Sequence, residues 1–202
     1  MSSPILCGAL FKRVCDENAA MLALEYNLQS INMLLRGKAK EIIRFGCRTV
    51  AGRVPLGQSG AISYKEFMIF YMARRDGLIM LIVSDENYPA TAGREACRRI
   101  LDDFDIRHGG SDFSNLTSDA KINFPELRNK IVLYQDPTKA DKTMAIQSQL
   151  DATKRVMVQN LDALLKRGEQ VDNLIEVSED LSSAAKMFAK QARKTNQCCV
   201  AM

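Results

Sequence analysis

The stretch "SYKEFMIFYMARRDGLIMLIVSDE", residues 63–86, decides the fold class. Phe67, Ile69, Tyr71 and Ala73 alternate with Met68, Phe70 and Met72, which puts apolar side chains on both faces of a strand. A strand apolar on both faces belongs in the middle of a sheet covered on both sides. Asp76-Gly77 is a favoured hairpin turn, and Leu78 to Val83 returns as the partner strand.

Working outward, "PILCGALFKRV" and "AAMLALEYN" form a second strand pair around Asp16-Glu17-Asn18. Ala39, Ile42, Ile43, Gly46 and Val50 recur at helical spacing, and a loop runs from Val54 to Gly60. After Pro89, the residues Cys97, Ile100, Leu101 and Phe104 mark a second helix. Pro125 opens a third, since proline suits a first helical position. Residues 1–136 are therefore expected to form an α+β domain, an antiparallel sheet with flanking helices.

The pattern changes after "YQDPTKAD". Steps of three and four from Thr143 to Thr195 define sixteen seam positions, of which ten are apolar. The apolar ones are Ile146, Leu150, Met157, Leu164, Val171, Leu174, Leu181, Ala185, Phe188 and Ala192; Thr153, Asn160, Arg167 and Ser178 interrupt them, and Thr143 and Thr195 close the two ends. A register shifted by one residue holds only six apolar positions, namely Met144, Val158, Leu161, Leu165, Ile175 and Ala189. The first register predicts one long coiled-coil helix, about 80 Å at 1.5 Å per residue. Such a helix needs partner helices. Arg167 at a core position either meets a full set of acceptors and fixes register, or snorkels off the edge of an ordinary amphipathic helix.

Composition excludes several classes. The chain has 202 residues, 47% hydrophobic and 26% charged, which is enough for a real core. A net charge of +4, with acids interleaved among the bases, does not make a nucleic-acid stripe. The longest apolar run, Gly77 to Val83, is too short to span a bilayer, and the N-terminus lacks the charge order of a secretory signal. A cytosolic setting is expected. Six cysteines without CxxC spacing and one histidine, His108, argue against zinc or a disulfide framework. Cys7, Cys15, Cys47 and Cys97 are expected in the core. "GRVPLGQS" (52–59) misses the P-loop lysine, and no catalytic constellation stands out, so no enzyme is expected.

Cys199-Val200-Ala201-Met202 fits a CaaX box whose last residue favours a farnesyl group. One such chain holds a membrane only marginally, and the adjacent Cys198 is the natural acceptor for a reversible palmitoyl group. Lys186, Lys190, Arg193 and Lys194 either attract anionic lipid or form a solvated helix face.

The segment "NLDALLKRGEQVDNLIEVSEDLSSAAKMFAKQARKTNQCC" (160–199) resembles the motif of R-SNAREs, with Arg167 matching their ionic-layer arginine. Residues 63–104, "SDENYP" above all, resemble the longin domain of long-form R-SNAREs. Together with the Cys-Cys tail, the chain is similar to the prenylated, YKT-type longin-domain R-SNAREs. The resemblance implies a profilin-like domain with a five-stranded sheet (1–136), a linker (137–142), the R-SNARE coiled coil (143–197) and a lipidation tail (198–202). It also implies a four-helix bundle with Qa, Qb and Qc SNAREs, in which three glutamines satisfy Arg167. Further implied partners are the SNARE disassembly machinery, protein farnesyltransferase and a membrane surface. The implied role is vesicle-mediated transport and membrane fusion, at the cytoplasmic face of Golgi, transport-vesicle and endosomal or vacuolar membranes, with steps such as ER to Golgi transport. No cofactor is implied beyond the covalent lipids. The longin domain is expected to fold back over part of the helix and shield the lipid, a closed state that palmitoylation or partners would open. The competing reading is a lipid-anchored longin scaffold or tether whose coiled coil binds non-SNARE partners.

Overall fold

The computed structural model describes residues 5–109, 111, 113–137, 156–166 and 168–198, the last seven by backbone alone. Five antiparallel strands build the sheet: β1 (Ile5–Cys15), β2 (Asn18–Tyr26), β3 (Ser59–Tyr64), β4 (Phe67–Ala73) and β5 (Leu78–Asp85). A short sixth strand, β6 (Val158–Asn160), joins in parallel to β3, giving the order β2-β1-β5-β4-β3-β6. Three helices, α1 (Arg36–Arg53), α2 (Ala90–His108) and α3 (Pro125–Leu133), cover the two faces.

The alternation in residues 67–73 sorts side chains as expected. Phe70 packs among Leu10, Met80, Ile82, Ile100 and Phe104 beneath α2 and α3. Ile69, Tyr71 and Ala73 face the opposite way, among Phe11, Leu81, Cys47 and Val50 beneath α1. Two glycines permit close approach. A Cβ on Gly93 would lie 2.2 Å from the Phe70 ring, and one on Gly8 would lie 2.5 Å from Ile131. The "SDENYP" corner is tied on both sides: Asp85 Oδ1 accepts from the Asn87 N–H at 2.8 Å, and the buried Tyr88 hydroxyl donates to the Tyr134 carbonyl at 2.8 Å.

Three expectations need correction. Cys15 is exposed at the end of β1, while Cys7, Cys47 and Cys97 are buried. Residues from Ser59 form β3 although the stretch through Gly60 carries loop signals, because Ala61 and Ile62 are drawn into the core beside β4.

The larger correction concerns the long helix. Residues 156–198 are not one helix: β6 is followed by a 3-10 turn (Leu161–Leu164), then α4 (Val171–Val177) and α5 (Ser183–Cys198). The physical reason is that an 80 Å amphipathic rod exposes its stripe to water, whereas a broken one can lay that stripe on the domain beside it. Among the described residues, no helix is long and apolar enough to cross a membrane.

Candidate functional site

The C-terminal segment lies along α1 and the β3 edge, and that seat is the candidate site. Backbone pairing starts it. The Ala61 N–H donates to the Met157 carbonyl at 2.9 Å, and Ala61, Ile62 and Ser63 stand opposite Val158, Gln159 and Asn160. Asn160 then turns the chain, its Oδ1 accepting from the Asp162 N–H at 2.9 Å. This places Leu161, 2% exposed, among the side chains beneath α1.

A tight turn follows, with the Lys166 carbonyl accepting from the Glu169 N–H at 2.9 Å and Gly168 in its third position at φ +95°. A third turn residue with positive φ calls for glycine. Beyond it α4 buries Val171 and Ile175, and the next loop delivers Leu181. Ser182 opens α5: its hydroxyl accepts from the Ala185 N–H at 3.2 Å, while its own N–H donates to Glu41 Oε2 on α1 at 2.9 Å. Ala185 is fully buried.

A polar clasp surrounds this apolar strip. Lys166 Nζ lies 2.5 Å from Glu17 Oε1 in the β1–β2 turn. Arg53, at the end of α1, reaches both Glu17 (3.7 Å) and Glu169 (3.5 Å). The hydrogen bond from Lys166, then the nearby charge of Arg53, holds the Glu17 carboxyl below the usual carboxylate range; Lys166 is raised in turn by Glu17. The Ser182 amide similarly lowers Glu41. On the outer face Lys190 pairs with Glu176 at 2.9 Å and lowers it, while Lys186 donates to the Glu176 carbonyl.

The seam residues fare unequally. Val171, Leu181 and Ala185 are buried in the seat, and Leu164, Leu174, Ser178 and Phe188 are partly buried. Met157 and Asn160 are exposed, and Ala192 lies within α5. Ile146, Leu150, Arg167 and Cys199 lie outside the described residues, and Cys198 is the last residue of α5.

The seat also uses residues that the seam excludes. Leu161 and Ile175 are buried, and Leu165 and Ala189 pack against the same cluster. All four belong to the weaker, shifted register. That second apolar stripe was the available signal for a second binding mode. The clasp residues Glu17, Glu41 and Arg53 carried no such signal, because their partners Lys166, Glu169 and Ser182 lie more than a hundred residues away and leave no spacing to find. The arrangement is a surface that seats one segment of its own chain against α1 and the β3 edge.

Comparison with known proteins gives two family matches. The synaptobrevin family model matches residues 142–201, and the longin family model, described as a regulated-SNARE-like domain, matches residues 29–131. The chain is 34% identical over 191 residues to "Synaptobrevin homolog YKT6" of Debaryomyces hansenii, covering 94% of this chain and 96% of that protein. It is 32% identical over 187 residues to the protein of the same name from Saccharomyces cerevisiae (92% and 94% covered). With "VAMP-like protein YKT61" of Arabidopsis thaliana it shares 37% over 164 residues, 81% of each chain.

Proposed function

The chain belongs to the YKT6-type longin-domain synaptobrevin (R-SNARE) family, acting in vesicle fusion by SNARE-complex assembly, and from that premise we propose that the folded-back state is its resting form. The observation that carries the proposal is the burial of Val171, Leu181 and Ala185 against α1 and the sheet. Those positions cannot face partner helices while they face the longin domain. Assembly therefore requires the segment to leave its seat, and the longin domain acts as an intramolecular competitor for the seam. The chain is an assembly component, not an enzyme.

Family membership supports SNARE partners and peripheral membrane attachment in general. The finer assignment is ours. Residues 143–197 supply one helix to a bundle with one Qa, one Qb and one Qc helix, and Arg167 sits in its ionic layer with Ile146, Leu150 and the later seam residues above and below. Residues 1–136 form the regulatory domain, 137–142 the linker and 198–202 the tail. Cys199 takes the farnesyl group and Cys198 the palmitoyl group, which holds the chain on Golgi and endosomal or vacuolar membranes.

The test mixes the full chain with Qa, Qb and Qc helices while fluorescence transfer is followed between dyes on β2 and α5. Transfer should fall as a thermally resistant complex forms, and both should proceed at the same rate. A complex that forms with transfer unchanged overturns the resting-state reading. Failure to form any complex with Q-SNARE helices overturns the partner assignment and leaves a scaffold. Mass spectrometry of the C-terminus, with fractionation of Cys198→Ser and Cys199→Ser, tests the anchor separately; unmodified cysteines would remove it.

A further inference from the structure

The start of α1 carries an unusual combination of residues. Between Arg36 and Arg53 this helix has six cations, Arg36, Lys38, Lys40, Arg44, Arg48 and Arg53, against one acid, Glu41. Its first turn has no acidic residue, although the positive end of a helix disfavours cations there. Helix stability therefore does not explain them. Arg36, Lys40, Arg44 and Arg48 follow one another at four-residue steps, which places them on one flank.

Their pairing is incomplete. Asp119 takes Arg48 at 2.5 Å, and Glu41 is occupied by the Ser182 amide. Among the described residues, Arg36, Lys38, Lys40 and Arg44 have no ion pair within 4.0 Å. Arg36 instead donates to the Ile31 and Gln29 carbonyls, and Lys40 lies over the Tyr26 ring, 5.5 Å from its centroid.

Directly before this flank stand Met33 and Leu34, 74% and 83% exposed. Asn32 fixes the turn they occupy, its Oδ1 accepting from the Leu34 N–H at 3.0 Å, and Arg36 staples the preceding residues. A capped turn thus presents two adjacent apolar side chains to water at one end of a row of cations, in which Lys40 and Arg44 are exposed and without an acidic partner within 4.0 Å among the described residues. An acidic protein surface would match the charges but not the protruding pair. A bilayer with anionic headgroups matches both, since methionine and leucine can enter the acyl boundary while lysine and arginine stay among the headgroups.

We propose that the shoulder formed by Met33, Leu34 and the cationic flank of α1 is a membrane-docking surface for anionic lipid, distinct from the C-terminal tail. It orients the longin domain on the bilayer, and it stays available in the folded-back state because Lys40 and Arg44 remain exposed there beside Met33 and Leu34. The proposal takes from the anchored reading only its biological setting. Its test uses unlipidated protein, so it can fail while the anchor stands, and the reverse.

The full-length unlipidated chain is floated with phosphatidylcholine vesicles, with and without phosphatidylserine, at low and high salt. Wild type should float with the anionic vesicles and release in salt. Each cation near such a surface contributes roughly fivefold in partition, so Lys40→Glu with Arg44→Glu should lower it by about 25-fold or more. Met33→Ser with Leu34→Ser should lower the fraction that floats at low salt. Lys121→Glu with Arg128→Glu, two exposed cations away from α1, should leave flotation near wild type. Thermal melts check folding; should the double reversal melt early, Lys40→Gln alone should still lower partition about fivefold. Equal flotation with neutral and anionic vesicles overturns the proposal. So does wild-type flotation of the Lys40→Glu, Arg44→Glu variant, which would place lipid binding elsewhere on the chain.

Discussion

Replacing Gly168 by alanine should move the chain from its folded-back state toward assembly. In the folded-back state Gly168 has φ +95°, and a Cβ there meets nothing within 4 Å. The cost of alanine is therefore purely conformational: about 1–2 kcal/mol for a left-handed backbone on an L-residue. In the proposed bundle the same position would be helical, where alanine is better than glycine by about 0.8–1.0 kcal/mol. The two effects act in one direction and sum to roughly 2–3 kcal/mol, or about 30- to 150-fold in the open-to-closed ratio. Fluorescence transfer between β2 and α5 reads that ratio, and the rate of complex formation with Q-SNARE helices reads its consequence. D-alanine, introduced by ligation, supplies the converse: it favours positive φ and opposes the helix, so closure should deepen and assembly slow. Unchanged transfer in the L-alanine variant, or the same response to both enantiomers, would refute the reasoning.

Three further outcomes follow from the seat and the core. Leu161→Ala removes a buried anchor that the bundle seam does not use, and should weaken closure by about 2–3 kcal/mol and speed assembly; an assembly rate equal to wild type would show that Leu161 does not hold the segment down. The Glu17 carboxyl is lowered by Lys166 and Arg53 in the closed form, so its contribution is fully present above the ordinary glutamate pKa and lost as pH falls through the lower closed-state value. Lys166 is raised, so its share persists below the ordinary lysine pKa and is lost as pH rises through the raised value. Closure followed by fluorescence transfer should be flat near neutrality and fall in acid, and Glu17→Gln should shrink the acid limb to the share left by Glu41 and Glu176; an identical limb in that variant would count against the clasp. Gly93→Ala drives a Cβ to 2.2 Å from the fully buried Phe70 ring and should cost about 1–3 kcal/mol in thermal unfolding. A melting temperature equal to wild type would mean that α2 sits farther from the sheet than described.

The two halves of the chain differ in how much their sequence disclosed, and the difference is one of physics. The β4–β5 hairpin was legible because alternation, turn and partner strand all lie within 24 residues and all favour the same structure. The helices α1 to α3 were legible from spacing and from Pro125. In residues 156–191 the pattern was equally clear, yet the segment is not one helix there, and we read the pattern as that of the assembled state proposed above. Val171, Leu174, Leu181 and Ala185 sit at the three-and-four spacing of a bundle helix, and that spacing says nothing of where the segment rests before its partners arrive. The resting seat draws on Leu161, Leu165, Ile175 and Ala189 as well, a stripe too sparse to compete with the seam in a count. Two overlapping stripes follow from the competition itself. If the seat used only seam residues in helical geometry, the longin domain would have to imitate three partner helices at once. By breaking the segment at Gly168 and adding off-seam anchors, it can hold some seam residues and leave others, such as Met157, exposed. Closure is then strong enough to hide Val171, Leu181 and Ala185, and partner helices still have an unhidden part of the seam at which to begin.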